Sequence, residues 1–289
     1  YAERILALDW MSPETKKKAL HKLNAMGRKI GYPNVWRSYK SLTINKNDYF
    51  GNVVRAQEFE HRRNMKKIGK PVDRREWYMH PHEVNAYYDP TANEIVFPAG
   101  ILQKPFFALG RDEALNYGGI GEVIGHEITH GFDDQGSKFD KNGNLKSWWT
   151  KQDKTQFEKK AKILEKQFDR FTVAPNVHVN GKLTLGENIA DLGGLLIAYY
   201  AYQKRLEQTG KKKISGLHPE QRFFLAIARN WRGHARKEHL RVMVKVDPHS
   251  PAQFRVNGPN SNAEEFYNAF GVKKGDKLYR PPSQRAKIW

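Results

Sequence analysis

Along most of the chain the apolar positions recur at helical spacing. Ser12-Pro13-Glu14 has the makings of a helix start, with Ser as N-cap, Pro in the first turn and an acid near the positive end. Ala19, Leu20, Leu23 and Met26 follow with helical period while Lys16 to Lys18 face outward, and Gly31-Tyr32-Pro33 breaks the pattern. A charge-rich helical stretch is predicted over 47–68, ended by Gly69-Lys70-Pro71. Val84 to Tyr88 and Glu94 to Phe97 are β-rich and flank the turn residues Asp89 to Asn93, which reads as a hairpin closed by Pro98. Gly118 to Gly121 introduces a predicted helix over 122–132, and Asp140 to Gly143 forms a tight turn that lacks the further ligand positions of a calcium loop. Amphipathic helices are predicted over 151–171, 185–207 and 219–239, the last with Trp231 inside it. The proline-rich tail is expected to be mostly loop, with one short helix over 263–270. The pattern as a whole is α+β and mostly α.

Composition narrows the class. Of the 289 residues 39% are apolar and 12% aromatic, enough for a sizeable core. The absence of cysteine excludes a disulfide scaffold, a thiolate zinc site and a cysteine nucleophile. The longest apolar stretch, Leu192 to Tyr202, has 11 residues and two glycines, too few to span a bilayer. Tyr1 opens the chain without a charged-then-apolar leader or an initiator Met, the expectation for a processed product or a fragment. The net charge of +19 invites a nucleic-acid reading, but the basic clusters, such as Lys16 to Lys18 and Lys211 to Lys213, lie far apart and alternate with apolar positions. They read as solvated helix faces, no specific nucleic-acid partner is expected, and no phosphate loop or zinc finger accompanies them.

The sharpest chemical signal is His126-Glu127-Ile128-Thr129-His130. On a helix, residues i and i+4 share a face, so both imidazoles can reach one tetrahedral Zn²⁺, while Glu127 leaves that face by about 100° and is free to act on water. A catalytic zinc needs a third protein ligand and an open fourth position. Glu187 and Asp191, again i and i+4, offer a ligand and an acceptor for the free N–H of a ligating His. A competing reading has Thr184 and Glu187 as a capping box for their own helix. Asp133 can orient His130 in the same way as Asp191, or mark a solvated helix end.

Four blocks then occur together: Val84 to Tyr88, Val123 to Asp134, Glu187 to Gly194 and Asp247 to Val256. In content and order they resemble the neprilysin and endothelin-converting-enzyme family of zinc metallopeptidases, and the likeness extends from near Gly31 to the terminal Trp289. The resemblance implies a thermolysin-like zincin domain with its active-site helix on a small sheet, holding one zinc through His126, His130 and Glu187, with Glu127 as the base. It also implies that Asp191 and Asp133 orient the histidines, that His249 stabilises the oxyanion with Asp247 behind it, and that Arg255 holds a primed-side carbonyl. Asn85 and Ala86 would pair with the peptide backbone, and Phe106, Phe107, Val123 and Trp231 would form an apolar pocket for the residue after the scissile bond.

The implied activity is hydrolysis of short peptides on the amino side of hydrophobic residues. Zinc acidifies its bound water to a pKa of about 7, and a positioned oxyanion donor is worth roughly 2.7–4 kcal/mol. The missing cysteines depart from vertebrate members and favour a bacterial relative, with an extracytoplasmic site slightly preferred. Glu122 stands where animal members carry an apolar side chain. It either extends the pocket's preference towards Lys or Arg or turns to solvent on the first helical turn. Residues 1–30 are expected to be the last helix of a mostly absent N-terminal helical lobe, or a linker, and 31–289 the catalytic domain. The rival classes are a zinc-binding but inactive interaction module and a charge-driven nucleic-acid binder.

Overall fold

The computed structural model describes residues 1–289. The chain begins with helices α1 (Ala2–Ala7) and α2 (Pro13–Asn24), then strand β1 (Gly27–Gly31). Ser12 caps α2 by accepting from the Thr15 amide. Its amide and hydroxyl also donate to Asp153, which accepts from the Thr15 and Thr150 hydroxyls as well. A buried carboxylate with this many donors needs no cation. It fastens the start of the chain to the N-terminus of a helix far along the sequence. Ile5, Met11, Ala19 and Met26 accordingly belong to the same core as the rest of the molecule. The strand β1 was not expected, because Arg28 and Lys29 obscure its alternation.

Helix α3 (Tyr49–Met65) buries none of its residues and is shorter at both ends than the predicted 47–68. The sheet follows, with β2 (Tyr87–Asp89) antiparallel and β1 parallel to the central β3 (Glu94–Pro98), in the order β1-β3-β2. The hairpin is therefore present, but its first strand starts late. Val84, Asn85 and Ala86 precede β2 as an unpaired segment at the sheet edge.

Helix α4 (Glu113–Asn116) runs through one π-helical turn at Tyr117–Gly121 into α5 (Glu122–His130). Helix α6 (Lys151–Phe168), the two-stranded ribbon β4 (Thr172–Ala174) and β5 (Val177–His178), and the long α7 (Leu185–Thr209) come next. The predicted helix over 219–239 is two helices, α8 (Pro219–Asn230) and α9 (Lys237–Val246), separated around Gly233, a residue that weakens a helix interior by about 1 kcal/mol. The tail holds α10 (Ala252–Asn260), which its prolines concealed, and α11 (Glu264–Phe270). Pro251 stands just before the helix, where no helical amide is needed, whereas Pro259 lies in its last turn and leaves one helical amide bond unmade.

The core runs along α5, α7 and the flanking helices. Phe132, Trp148, Phe157 and Trp289 gather at one end, where Trp10 donates to the Ile288 carbonyl and Arg4 to that of Trp289. Helices α5 and α7 touch backbone to backbone. A Cβ on Gly194 would come within 2.7 Å of the Glu122 carbonyl oxygen and the His126 amide nitrogen. One on Gly125 would meet Gly194 Cα at 2.9 Å, and one on Gly193 would meet Thr129 Oγ1 at 2.4 Å. These three glycines permit an approach that no side chain would. No helix is long and apolar enough to cross a membrane.

Candidate metal centre and substrate cleft

The close approach of α5 and α7 brings together side chains that are some sixty residues apart. His126 Nε2 lies 3.0 Å from His130 Nε2 and 3.2 Å from Glu187 Oε2, and His130 Nε2 lies 3.5 Å from Glu187 Oε1. A tetrahedral zinc with bonds of about 2.0–2.1 Å has ligand–ligand edges of about 3.3 Å. The three donors thus match three edges of one tetrahedron, and this group could hold a metal ion.

The opposite ring nitrogens are tied down. His126 Nδ1 is 2.9 Å from Asp191 Oδ1 and His130 Nδ1 is 2.7 Å from Asp133 Oδ2. With protons held on both Nδ1 atoms, both Nε2 lone pairs face the common point. Asp133 is buried and also accepts the amides of Gln135 and Gly136, so it is no solvated helix end. The capping-box reading of Glu187 fails too. Thr184 makes no side-chain cap, and its hydroxyl donates to the Asn180 carbonyl instead.

Charge in the group is finely opposed. Burial and the neighbouring His130 charge push His126 down, but Asp191 and Glu187 outweigh them and raise it to about 9. His130 is likewise raised, against its burial, by Asp133 and Glu187. Burial raises Glu187, yet the two imidazoles hold it well below the usual carboxylate range. Burial pushes Glu127 up, and His126 and His130 draw it only part of the way back. A raised carboxylate suits a group that must take and return a proton near neutral pH.

The cleft around these residues has a volume of about 860 Å³. Asn85, Ala86, Phe106, Val123, Trp231, His249 and Arg255 all line it, together with Glu122. Phe107 does not. Like Phe106 it packs against the core, but only Phe106 also reaches the cleft wall. His249 Nε2 is 3.3 Å from Glu187 Oε2, and its Nδ1 is 2.8 Å from Asp247. The Ala86 amide donates to its neighbour Asn85 Oδ1.

Arg255 does something that spacing could not reveal. Its Nε and Nη2 donate to the two oxygens of Asp191 at 2.9 and 2.7 Å, and its guanidinium lies 3.9 Å from the centre of the Trp231 ring. Helix α10, hidden among prolines, carries it there. The glycines at 125, 193 and 194 were also missed as site residues; three glycines inside apolar helical patterns were the available signal. Glu122 is 3% exposed, so the solvent-facing reading is wrong. Burial first, and then the Asp191 charge, push its carboxyl up to about 7.

The family model described as Peptidase family M13 matches residues 85–286, and a second with the same description matches residues 1–33. The chain belongs to peptidase family M13. Among M13 relatives, human neprilysin is 42% identical over 98% of this chain and 39% of its own length. An endothelin-converting enzyme homolog of Locusta migratoria is 42% identical, over 98% of this chain and 40% of its own. Among solved structures, the inhibitor complex of the Mycobacterium tuberculosis zinc metalloprotease ZMP1 superposes with a TM-score of 0.97 at 49% identity, covering all of this chain and 45% of that one. PepO from Lactobacillus rhamnosis superposes at 0.90 with 39% identity, covering all of this chain and 45% of that one. The mostly helical zincin-like fold is thus shared with M13 metalloproteases, and the chain spans about 40% of the length of the curated relatives it matches.

Proposed function

We propose that the chain is the catalytic part of a zinc-dependent endopeptidase that hydrolyses short peptides on the amino side of hydrophobic residues. The observation that carries this reading is the convergence of His126, His130 and Glu187 on one point with tetrahedral edges, beside a buried Glu127. Zinc, when held there, acidifies water and polarises a carbonyl.

The chain's own residues do the rest. Glu127 accepts a proton from the attacking water and returns it to the leaving amine nitrogen, a shuttle worth about 10²–10⁴-fold. Asp191 and Asp133 fix the tautomers of His126 and His130 through Nδ1. Arg255 holds Asp191 in place with two parallel bonds, and its position in the cleft lets it meet a substrate carbonyl. His249, kept in orientation by Asp247, donates to the oxyanion as charge develops. Asn85 and Ala86 lie at the sheet edge, where an extended peptide pairs once the Asn85 carboxamide releases the Ala86 amide. Phe106, Val123 and Trp231 give the residue after the scissile bond an apolar wall.

The share of the relatives that is covered supports a second lobe of the full protein, closing over the cleft and limiting it to short peptides. In this reading 31–289 is the catalytic domain, and 1–30 joins it to that lobe while packing into its core. An extracytoplasmic location fits peptide scavenging or processing. Cleavage mapping on a peptide library tests the function. Cuts before hydrophobic residues, abolished by a chelator and restored by zinc, are expected; chelator-resistant cleavage refutes it.

A further inference from the structure

A second cavity of about 870 Å³, as large as the cleft itself, lies between α3 and the loops at 33–39 and 66–82. Its lining holds six Lys and Arg side chains against two carboxylates. The acids are already committed. Glu76 is clasped by Arg63 and, at 2.7 Å, by Lys67, and Asp73 binds Arg75 at 2.9 Å. Lys66 and Lys70 have no carboxylate partner, so the free charge of the chamber is positive. Trp36 and Tyr78 are 62% and 66% exposed on its walls, far above what large aromatics need to fold.

The chamber adjoins the cleft, with Met79 in the wall of both. The Tyr78 amide donates to the Tyr87 hydroxyl at 2.9 Å, which pins the chamber wall to β2, next to the segment Asn85–Ala86. We infer that the chamber is a remote subsite of the peptidase cleft, which takes acidic residues of a peptide several positions from the scissile bond. Lys66 and Lys70 attract the carboxylates, and the exposed aromatics cover the adjoining backbone and apolar side chains. Three features favour an acidic peptide over a free anion: the size of the chamber, its aromatic walls and its place beside the cleft. The inference rests on the peptidase reading of the cleft.

The test uses two sets of peptides that share one cleavage sequence. One set carries an Asp-Asp pair moved residue by residue away from the scissile bond on either side, and the other carries Asn-Asn at the same places. With exposed pairs worth about 0.2–1 kcal/mol each, two of them should make kcat/KM favour Asp-Asp by about twofold to thirtyfold at one distance, mostly through KM. The double reversal Lys66→Glu with Lys70→Glu should bring that ratio to one or below. An equal reversal on α6, Lys151→Glu with Lys159→Glu, should keep it. In parallel, a labelled acidic peptide without a cleavable bond is titrated by fluorescence anisotropy into the zinc-loaded protein, which reads the chamber even if no peptide is cut. Failure of all cleavage with binding intact would therefore strike the peptidase reading, whereas equal cleavage of both sets overturns the subsite. Binding that the reversal abolishes without any change in cleavage preference also overturns it, and assigns the chamber to a free anion or an acidic stretch of a longer chain.

Discussion

Replacing Gly194 by Ala should loosen the metal centre without unfolding the protein. In the structure a Cβ at this position would lie 2.7 Å from two backbone atoms of α5, where ordinary contacts begin at 3.4 Å. Both atoms are main-chain, so neither can swing aside, and α7 must retreat by about 0.7 Å. Glu187 and Asp191 ride on α7 and would carry the retreat to the histidines. The Glu187 contacts at 3.2 and 3.5 Å would open towards about 4 Å, beyond the edge of about 3.3 Å that a zinc tetrahedron requires. The Asp191 contact to His126 would stretch similarly, and losing such a partner alone costs about 10–100-fold in metal affinity. Folding should suffer less, since overpacking of about 1–3 kcal/mol is offset by about 1 kcal/mol of helix propensity gained on leaving Gly. The assay is zinc affinity by chelator competition, alongside thermal unfolding of the metal-free chain. Gly121→Ala is the control, because its Cβ meets nothing closer than 3.4 Å. A Gly194→Ala protein that holds zinc as tightly as wild type would refute the idea that this glycine contact sets the donor spacing.

His249→Ala should lower kcat by about 10²–10³-fold and move KM little, since the oxyanion exists only late in the reaction; steady-state kinetics with an unchanged kcat would remove His249 from the mechanism. Glu122→Met should raise kcat/KM for large apolar residues after the scissile bond and lower it for Lys and Arg, because a cleft-lining carboxylate is exchanged for an apolar wall. Coincident cleavage profiles would deny Glu122 a part in specificity. Burial pushes Lys22 down to about 7, while the unfolded chain titrates near 10.5. The unfolded state therefore binds the extra proton between these values, and stability should rise with pH across that window. Lys22→Met should flatten the rise in urea unfolding at pH 7 and 9.5, and parallel curves would contradict it.

How far the site was legible depended on whether its information was local. His126, Glu127 and His130 lie on one helical turn, so their spacing stated their geometry. Glu187 and Asp191 had the right spacing as well, but Thr184 left a capping alternative open, which the bond of its hydroxyl to the Asn180 carbonyl and the packing of α5 on α7 decided. The fork of Arg255 on Asp191 joins α10 to α7, which no periodicity can report. Which of the adjacent Phe106 and Phe107 reaches the cleft wall depends on the turn that carries them, and composition does not report it. In the fold, α2 and α6 carried caps and apolar faces and α7 a long apolar run, and all three stood out. Strand β1 did not, because its Arg-Lys pair resembles a surface turn, and α10 was masked by its prolines. The break between α8 and α9 hung on a single Gly233 within an otherwise continuous pattern.

The most direct measurement compares wild type with Glu127→Gln, recording zinc per chain by elemental analysis and peptide hydrolysis on the same samples. Glu127 lies beside the three donors but outside their triangle, so the variant should hold one zinc as wild type does and lose turnover by about 10²–10⁴-fold. A variant that retains its zinc and cleaves peptide at the wild-type rate would contradict the assignment of Glu127 and, with it, the account of the cleft.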